Sequence, residues 1–197
     1  MLERTHLIAC LVVAAASPAL AANAPGIKNF DQVDAHVYRG AQPTAEGFRY
    51  LAGIGVKTVI DLREDEGRAK VEERMVRDAG MVYLNVPMTG LTPPSEAELL
   101  KVLTVLENVT VGPVFVHCFR GADRTGAVIA AYHIEHDQWD TARALKDAKA
   151  HGMGTFQIPR QNFIKNYLPL TMNAKNAAKG DSSVSTSATP AAVSASH

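Results

Sequence analysis

The run His117-Cys118-Phe119-Arg120-Gly121-Ala122-Asp123-Arg124-Thr125-Gly126 puts a thiol and a guanidinium on one short stretch, with five residues between them. A loop of that length can curl so that successive backbone N–H groups of Phe119, Arg120, Gly121, Ala122, Asp123 and Arg124 point inward. The result is an anion-sized nest capped by a helix N-terminus. The same positive field favours the thiolate of Cys118, the form that attacks. Arg124 adds a planar fork suited to two phosphoryl oxygens, a match that lysine cannot make. Thr125 stands close enough in sequence to donate a hydrogen bond to the sulfur. A cysteine followed six residues later by arginine is common by chance; its placement between an apolar strand and an apolar helix is what makes it specific. The GxxxxGK[ST] pattern of a nucleotide-binding loop is absent.

The flanking chain must hold that loop. "HVYRG", "VKTVIDL", "MVYLNVP" and "PVFVH" read as strands, and each is followed by a segment of helical periodicity. Thr44 caps a helix with Phe48, Leu51 and Ile54 inward, and Glu66 to Ala79 forms a charged helix with Val71, Met75 and Val76 inward. Ser95 and Glu98 form a capping box ahead of Leu99, Val102, Leu103, Leu106 and Val109. Asp140 caps a helix burying Ala142, Leu145 and Ala148, and "FQIPRQNFIKNYL" closes the fold. The expected class is α/β, a central mostly parallel sheet of about four to five strands flanked by helices. Its polar turn lies at the carboxyl end of its most apolar strand, where such sheets place their sites.

The ends differ from this middle. Arg4, an apolar run and Ala19-Leu20-Ala21 make residues 1–21 a secretory signal peptide, and Pro18 and the short apolar length argue against a membrane anchor. Residues 22–30 read as a flexible segment, 31–170 as the catalytic domain and 171–197 as a disordered Ser/Ala/Thr tail. The expected location is therefore outside the cytoplasm, periplasmic or secreted in a bacterium, with no integral membrane domain after cleavage. Removing Cys10 with the leader leaves Cys118 alone. Lys plus Arg is 20 and Asp plus Glu is 20, so the bulk charge points to no nucleic-acid partner. The seven histidines lack ligand spacing, and no metal site is expected.

"HCFRGADRTG" resembles the signature of the cysteine-based protein tyrosine and dual-specificity phosphatases. "HVYRGAQPTAEGFRYLAGIGVKTVIDLRE", "GPVFVHC" and "EHDQWDTARALKDAKAHG" are similar to the small bacterial and fungal-type dual-specificity branch, which includes exported bacterial members. The resemblance implies Cys118 as nucleophile, Arg124 as phosphate clamp, Thr125 as the hydroxyl assisting thiolate departure and His117 as a structural residue tuning the thiol. It implies two-step hydrolysis through a phosphocysteine, without cofactor or metal, on a phosphorylated protein or on an inositol phosphate or phosphoinositide. The family generally carries its acid, an Asp, on the loop after the third strand. Here that loop is "NVPMTGLTPPSE", with no aspartate. Asp123, which matches the acid position of the myotubularin-like phosphatases, is then the first candidate, with Glu96 and Asp65 as alternatives, or no strong acid at all. Arg120 projects from the loop, and Arg39 and Arg63 are candidate rim contacts for a second phosphate or else structural salt bridges. Two other readings stay open: a catalytically weak phosphate-recognition module, and a sulfurtransferase on a cysteine loop.

Overall fold

The computed structural model describes residues 24–64 and 67–170. The signal-peptide expectation for 1–21, the tail expectation for 171–197 and Asp65 all lie outside the described residues. In chain order the elements are β1 (Asp31–Gln32), β2 (Val37–Ala41), α1 (Ala45–Gly53), β3 (Thr58–Asp61), α2 (Arg68–Asp78) and β4 (Val82–Asn85). They continue with α3 (Glu96–Leu106), β5 (Val114–Cys118), α4 (Asp123–His136), α5 (Thr141–Ala150) and α6 (Ile158–Lys165). The strands lie in the order β1-β2-β5-β3-β4, all parallel except β1 against β2. The expected mostly parallel sheet is present; the two-residue edge strand β1 is an addition too short to show any periodicity.

β5 is the central strand and every residue of it is buried. Side chains alternate across it: Val114 and Val116 join the core under α3, α4, α5 and α6, whereas Phe115 joins the core under α1 and α2. Helices therefore cover both faces, as a parallel sheet requires. The register sets Ala41 beside Cys118, and both Gly40 and Asp61 beside His117, so the carboxyl ends of β2, β5 and β3 finish level.

The caps form as expected: Thr44 accepts from the N–H of Gly47, Ser95 and Glu98 make a capping box, and Asp140 accepts from the N–H of Arg143. Several facings differ. In α2 the inward residues are Ala69, Glu72 and Val76, and Val71 is exposed; the helix turns Glu72 inward because two buried cations need it. Val109 lies exposed in a 3-10 turn after α3, and in α5 Ala144 takes the inward place expected for Ala142. Residues 24–30, within the segment read from sequence as flexible, make contacts with the domain. Ala24 and Ile27 are buried against Phe48 and Phe115, and the Gly26 carbonyl accepts from the N–H of Thr44. Among the described residues no helix is long and apolar enough to cross a membrane.

Candidate active site

β5 delivers Cys118 to the sheet edge, 2% exposed. The chain then bends through Phe119 and Arg120, both exposed, to Gly121 and the buried Ala122, where α4 begins. Gly121 has a φ of +68°, and a Cβ there would lie 2.3 Å from the carbonyl carbon of Gly40. Only glycine meets both demands. No side chain caps α4, so its first N–H groups stay available to an anion.

Burial pushes the Cys118 thiol up, but the Thr125 hydroxyl, the Thr125 and Gly121 N–H groups and the Arg124 charge outweigh it and hold it below the usual thiol range. The Thr125 hydroxyl is buried and reaches full hydrogen-bond geometry with no atom, so its hold on the sulfur is a loose one. Arg124 is half-buried and donates to the Met88 carbonyl, 3.2 Å away. Its fork thus rests against the loop that follows β4.

Behind the thiol lies a buried charge network. Arg63 donates to both oxygens of Asp61, at 2.8 and 2.7 Å, and also bonds Glu72. Nε2 of His117 lies 2.8 Å from the second Glu72 oxygen, close enough for an ion pair though poorly aligned as a hydrogen bond. Tyr83 donates to Asp61 and Gln42 to Glu72. Burial alone would push His117 down, yet Glu72 and Asp61 hold it above the usual histidine range. Ligand atoms of Asp61, Glu72 and His117 lie within 4.8 Å of one another, a spacing a metal ion could use. Arg63 already bridges the two carboxylates, and with His117 charged the cluster is neutral, so an ion would have to displace the guanidinium.

Arg39 and Arg63, read from sequence as rim contacts or structural salt bridges, both make salt bridges. Arg39 is 1% exposed and bonds Asp147 and the Gly121 carbonyl. Arg63 serves the buried network, with one edge on a cleft of about 160 Å³ that it lines with Glu64, Arg68, Ala69, Phe119 and Arg124. Arg120 leans onto Asp123. Asp123 itself is tied on both sides: one oxygen takes Arg120 at 2.6 Å and the other the N–H of Gly154 at 2.9 Å. It is placed to accept hydrogen bonds and to fasten the loop to the α5–α6 connection. Glu96 stands exposed on the first turn of α3.

Three contributors escaped the sequence reading. Asp61 carried a weak signal, a charge at the end of an apolar strand. Glu72 looked like one more solvated helix charge. Arg160 is 0% exposed and donates to the Gly90 carbonyl at 2.8 Å and the Thr89 carbonyl at 2.5 Å, pinning the loop that lacks an acid. Nothing in "IPRQNF" announces it.

An α/β sheet whose central strand ends in a thiolate-favouring cysteine, followed by a turn bent at Gly121 and an arginine on the next helix, has the architecture of a cysteine-loop phosphatase fold. Residues 18–166 match the family described as "DSP-PTPase phosphatase fused to NAD+ Kinase", and the chain belongs to that family of cysteine-dependent phosphatase domains. It is 34% identical over 149 residues to the dual specificity protein phosphatase TpbA of Pseudomonas aeruginosa, covering 75% of this chain and 66% of TpbA. The crystal structure of P. aeruginosa TpbA superposes with a TM-score of 0.64 at 24% identity, covering 79% of this chain and 99% of that one. The core catalytic domain of the PP-IP phosphatase SIW14 from S. cerevisiae superposes with a TM-score of 0.66 at 24% identity, covering 78% and 93%. The chain spans just under two thirds of the length of TpbA.

Proposed function

We propose that the protein hydrolyses phosphate monoesters through a phosphocysteine on Cys118. The observation that carries this reading is the placement of Cys118, buried at the carboxyl end of β5 with the Thr125 and Gly121 N–H groups and the Arg124 charge near its sulfur, where they hold the thiol below its usual range. The Cys118 thiolate attacks phosphorus as the bond to the leaving oxygen breaks. Arg124 leaves the Met88 carbonyl to hold two equatorial oxygens, and Thr125 supports the sulfur when it departs. Water then attacks phosphorus, the S–P bond breaks, and inorganic phosphate and the thiolate are regenerated. His117 stays buried beside Glu72, fixing the strand end without exchanging protons with substrate. The test is acid quench during turnover of an aryl phosphate: the peptide containing Cys118 carries the phosphoryl group. Turnover with no phosphate on that peptide overturns the reading.

Proton donation to the leaving oxygen falls to Asp123, and its two partners make it a restrained donor. It acts only once the substrate draws Arg120 away, so substrates with easily expelled groups turn over best. Asp123→Asn is expected to slow an alkyl phosphate by about 10²-fold, the lower range for general acids, and an aryl phosphate far less. Equal slowing of both in steady-state assays leaves Asp123 as a tether alone.

The substrate is a phosphoprotein or an inositol phosphate, the two classes that the names of TpbA and SIW14 span. Arg68 and Arg124 at the cleft, with Phe119 the aromatic that lines it, support a substrate bearing more than one phosphate. Phosphopeptides and inositol phosphates assayed side by side test this; a preference for singly phosphorylated peptides overturns it. Residues 1–21 support export to the periplasm.

A further inference from the structure

Three successive carbonyls of the phosphate loop are held from behind. The Phe119 carbonyl accepts from the N–H of Gln42 at 3.3 Å, the Arg120 carbonyl from Nδ2 of Asn29 at 3.2 Å, and the Gly121 carbonyl from Nη2 of Arg39 at 3.1 Å. In a trans peptide the C=O of one residue and the N–H of the next point in opposite directions. Holding the carbonyls of 119, 120 and 121 on the outside therefore turns the N–H groups of 120, 121 and 122 toward the inside. The Gly121 N–H, partner of the carbonyl that Asn29 holds, is one of the groups that favours the Cys118 thiolate. All three donors come from the chain between Asn29 and Gln42. Two of them are braced in turn by α5 and the residue that caps its C-terminus: Arg39 also bonds Asp147, and Asn29 also donates to the His151 carbonyl at 2.9 Å. Asn29 takes a φ of 51°, a left-handed conformation that asparagine tolerates better than most residues. This geometry aims its amide at both carbonyls.

We infer that Asn29 and Arg39 are positioning residues for the proposed hydrolysis: they fix the outward carbonyls and so keep the loop's N–H groups aimed at the phosphoryl site before substrate arrives. The inference rests on the phosphatase reading only for its kinetic consequence. Preorganised donors lose nothing to reorganisation when the anion binds. A loop free to flip its peptides would oppose the same anion with carbonyl oxygens.

Arg39 is buried and its removal threatens the fold, so Asn29 carries the test. Asn29→Gly keeps the left-handed backbone accessible and removes only the amide; Asn29→Asp keeps the shape and sets a carboxylate against two carbonyls. Both are compared with wild-type protein for inorganic phosphate affinity by calorimetry, for the pH profile of Cys118 alkylation by iodoacetamide, and for melting temperature. Asn29→Gly is expected to weaken phosphate binding about tenfold, the scale of one well-placed hydrogen bond. It should also raise the apparent thiol pKa while the melting temperature changes little, and Asn29→Asp should do more. Wild-type phosphate affinity and thiol pKa in Asn29→Gly overturn the inference, as does a lowered melting temperature with both unchanged. The alkylation profile needs no substrate. A wild-type protein that fails to bind phosphate would thus count against the phosphatase reading and still leave the role of Asn29 decided.

Discussion

Cys118→Ser is expected to reduce turnover of an aryl phosphate by on the order of 10⁴-fold or more, the scale of losing a covalent nucleophile. The serine hydroxyl is not ionised near neutral pH, so the donors gathered around position 118 face a neutral oxygen. The rest of the loop is untouched: its carbonyls keep their partners and Arg124 keeps its place. Inorganic phosphate should therefore bind at least as well as to wild-type protein, because the anion no longer meets a thiolate. The wild-type profile of kcat/KM against pH should show its acid limb below the ordinary thiol value of 9.0, since the Cys118 pKa is lowered. Steady-state assays and calorimetry on one preparation check both halves. Retained turnover would remove Cys118 from the chemistry, and lost phosphate affinity would show that the substitution had collapsed the loop.

The largest effect on stability is expected at Glu72. It is 1% exposed and serves both Arg63 and His117. Removing one partner of a buried ion pair strands the other, at about 3–5 kcal/mol, and Glu72→Ala strands two. Glu72→Gln keeps the volume and loses the charge, which makes the pH dependence informative. In wild-type protein the His117 pKa is raised above its unfolded value of 6.5. That contribution is fully present below pH 6.5 and is lost as pH rises through the folded pKa. Asp61 has a lowered pKa against an ordinary 3.8, so its contribution is present above that value and lost as pH falls through the folded pKa. In Glu72→Gln the main support of the charged imidazole is gone and burial pushes His117 down. Stability should then rise with pH around 6.5, where the wild type's falls. Urea unfolding across a pH series reads the slopes; parallel slopes in the two proteins would refute the assignment of His117 as a buried cation.

The parts of this molecule that local rules govern could be read in advance. Thr44, Ser95 with Glu98, and Asp140 cap helices because each needs only an oxygen a few residues ahead of an N–H. The strand, turn and helix around Cys118 follow from apolar runs broken by one glycine. What escaped depends on partners distant in the chain. Glu72 reads as one charge of a charged helix until Arg63 and His117 are placed beside it, and Asn29 reads as part of a flexible segment until its amide is found on the Arg120 carbonyl. Asp123 reads as an unencumbered proton donor until the Gly154 N–H and Arg120 are found on its two oxygens, which make it a restrained one. Arg39, open in the sequence to a rim contact or a structural salt bridge, bonds Asp147 and the Gly121 carbonyl from beneath the loop. A single sequence exposes periodicity and caps; it does not expose which charge meets which across the sheet.

Cys118 is also the only cysteine among the described residues, seated under a loop that favours its ionised form. A thiolate of that kind is the form that peroxides convert to sulfenic acid, and many such centres are rescued by a second thiol that closes a disulfide. Here no described residue can play that part. Reversal of such damage would fall to a reductant arriving from outside at a cysteine only 2% exposed, so under the proposed function a bound anion and a rescuing thiol would compete for one approach.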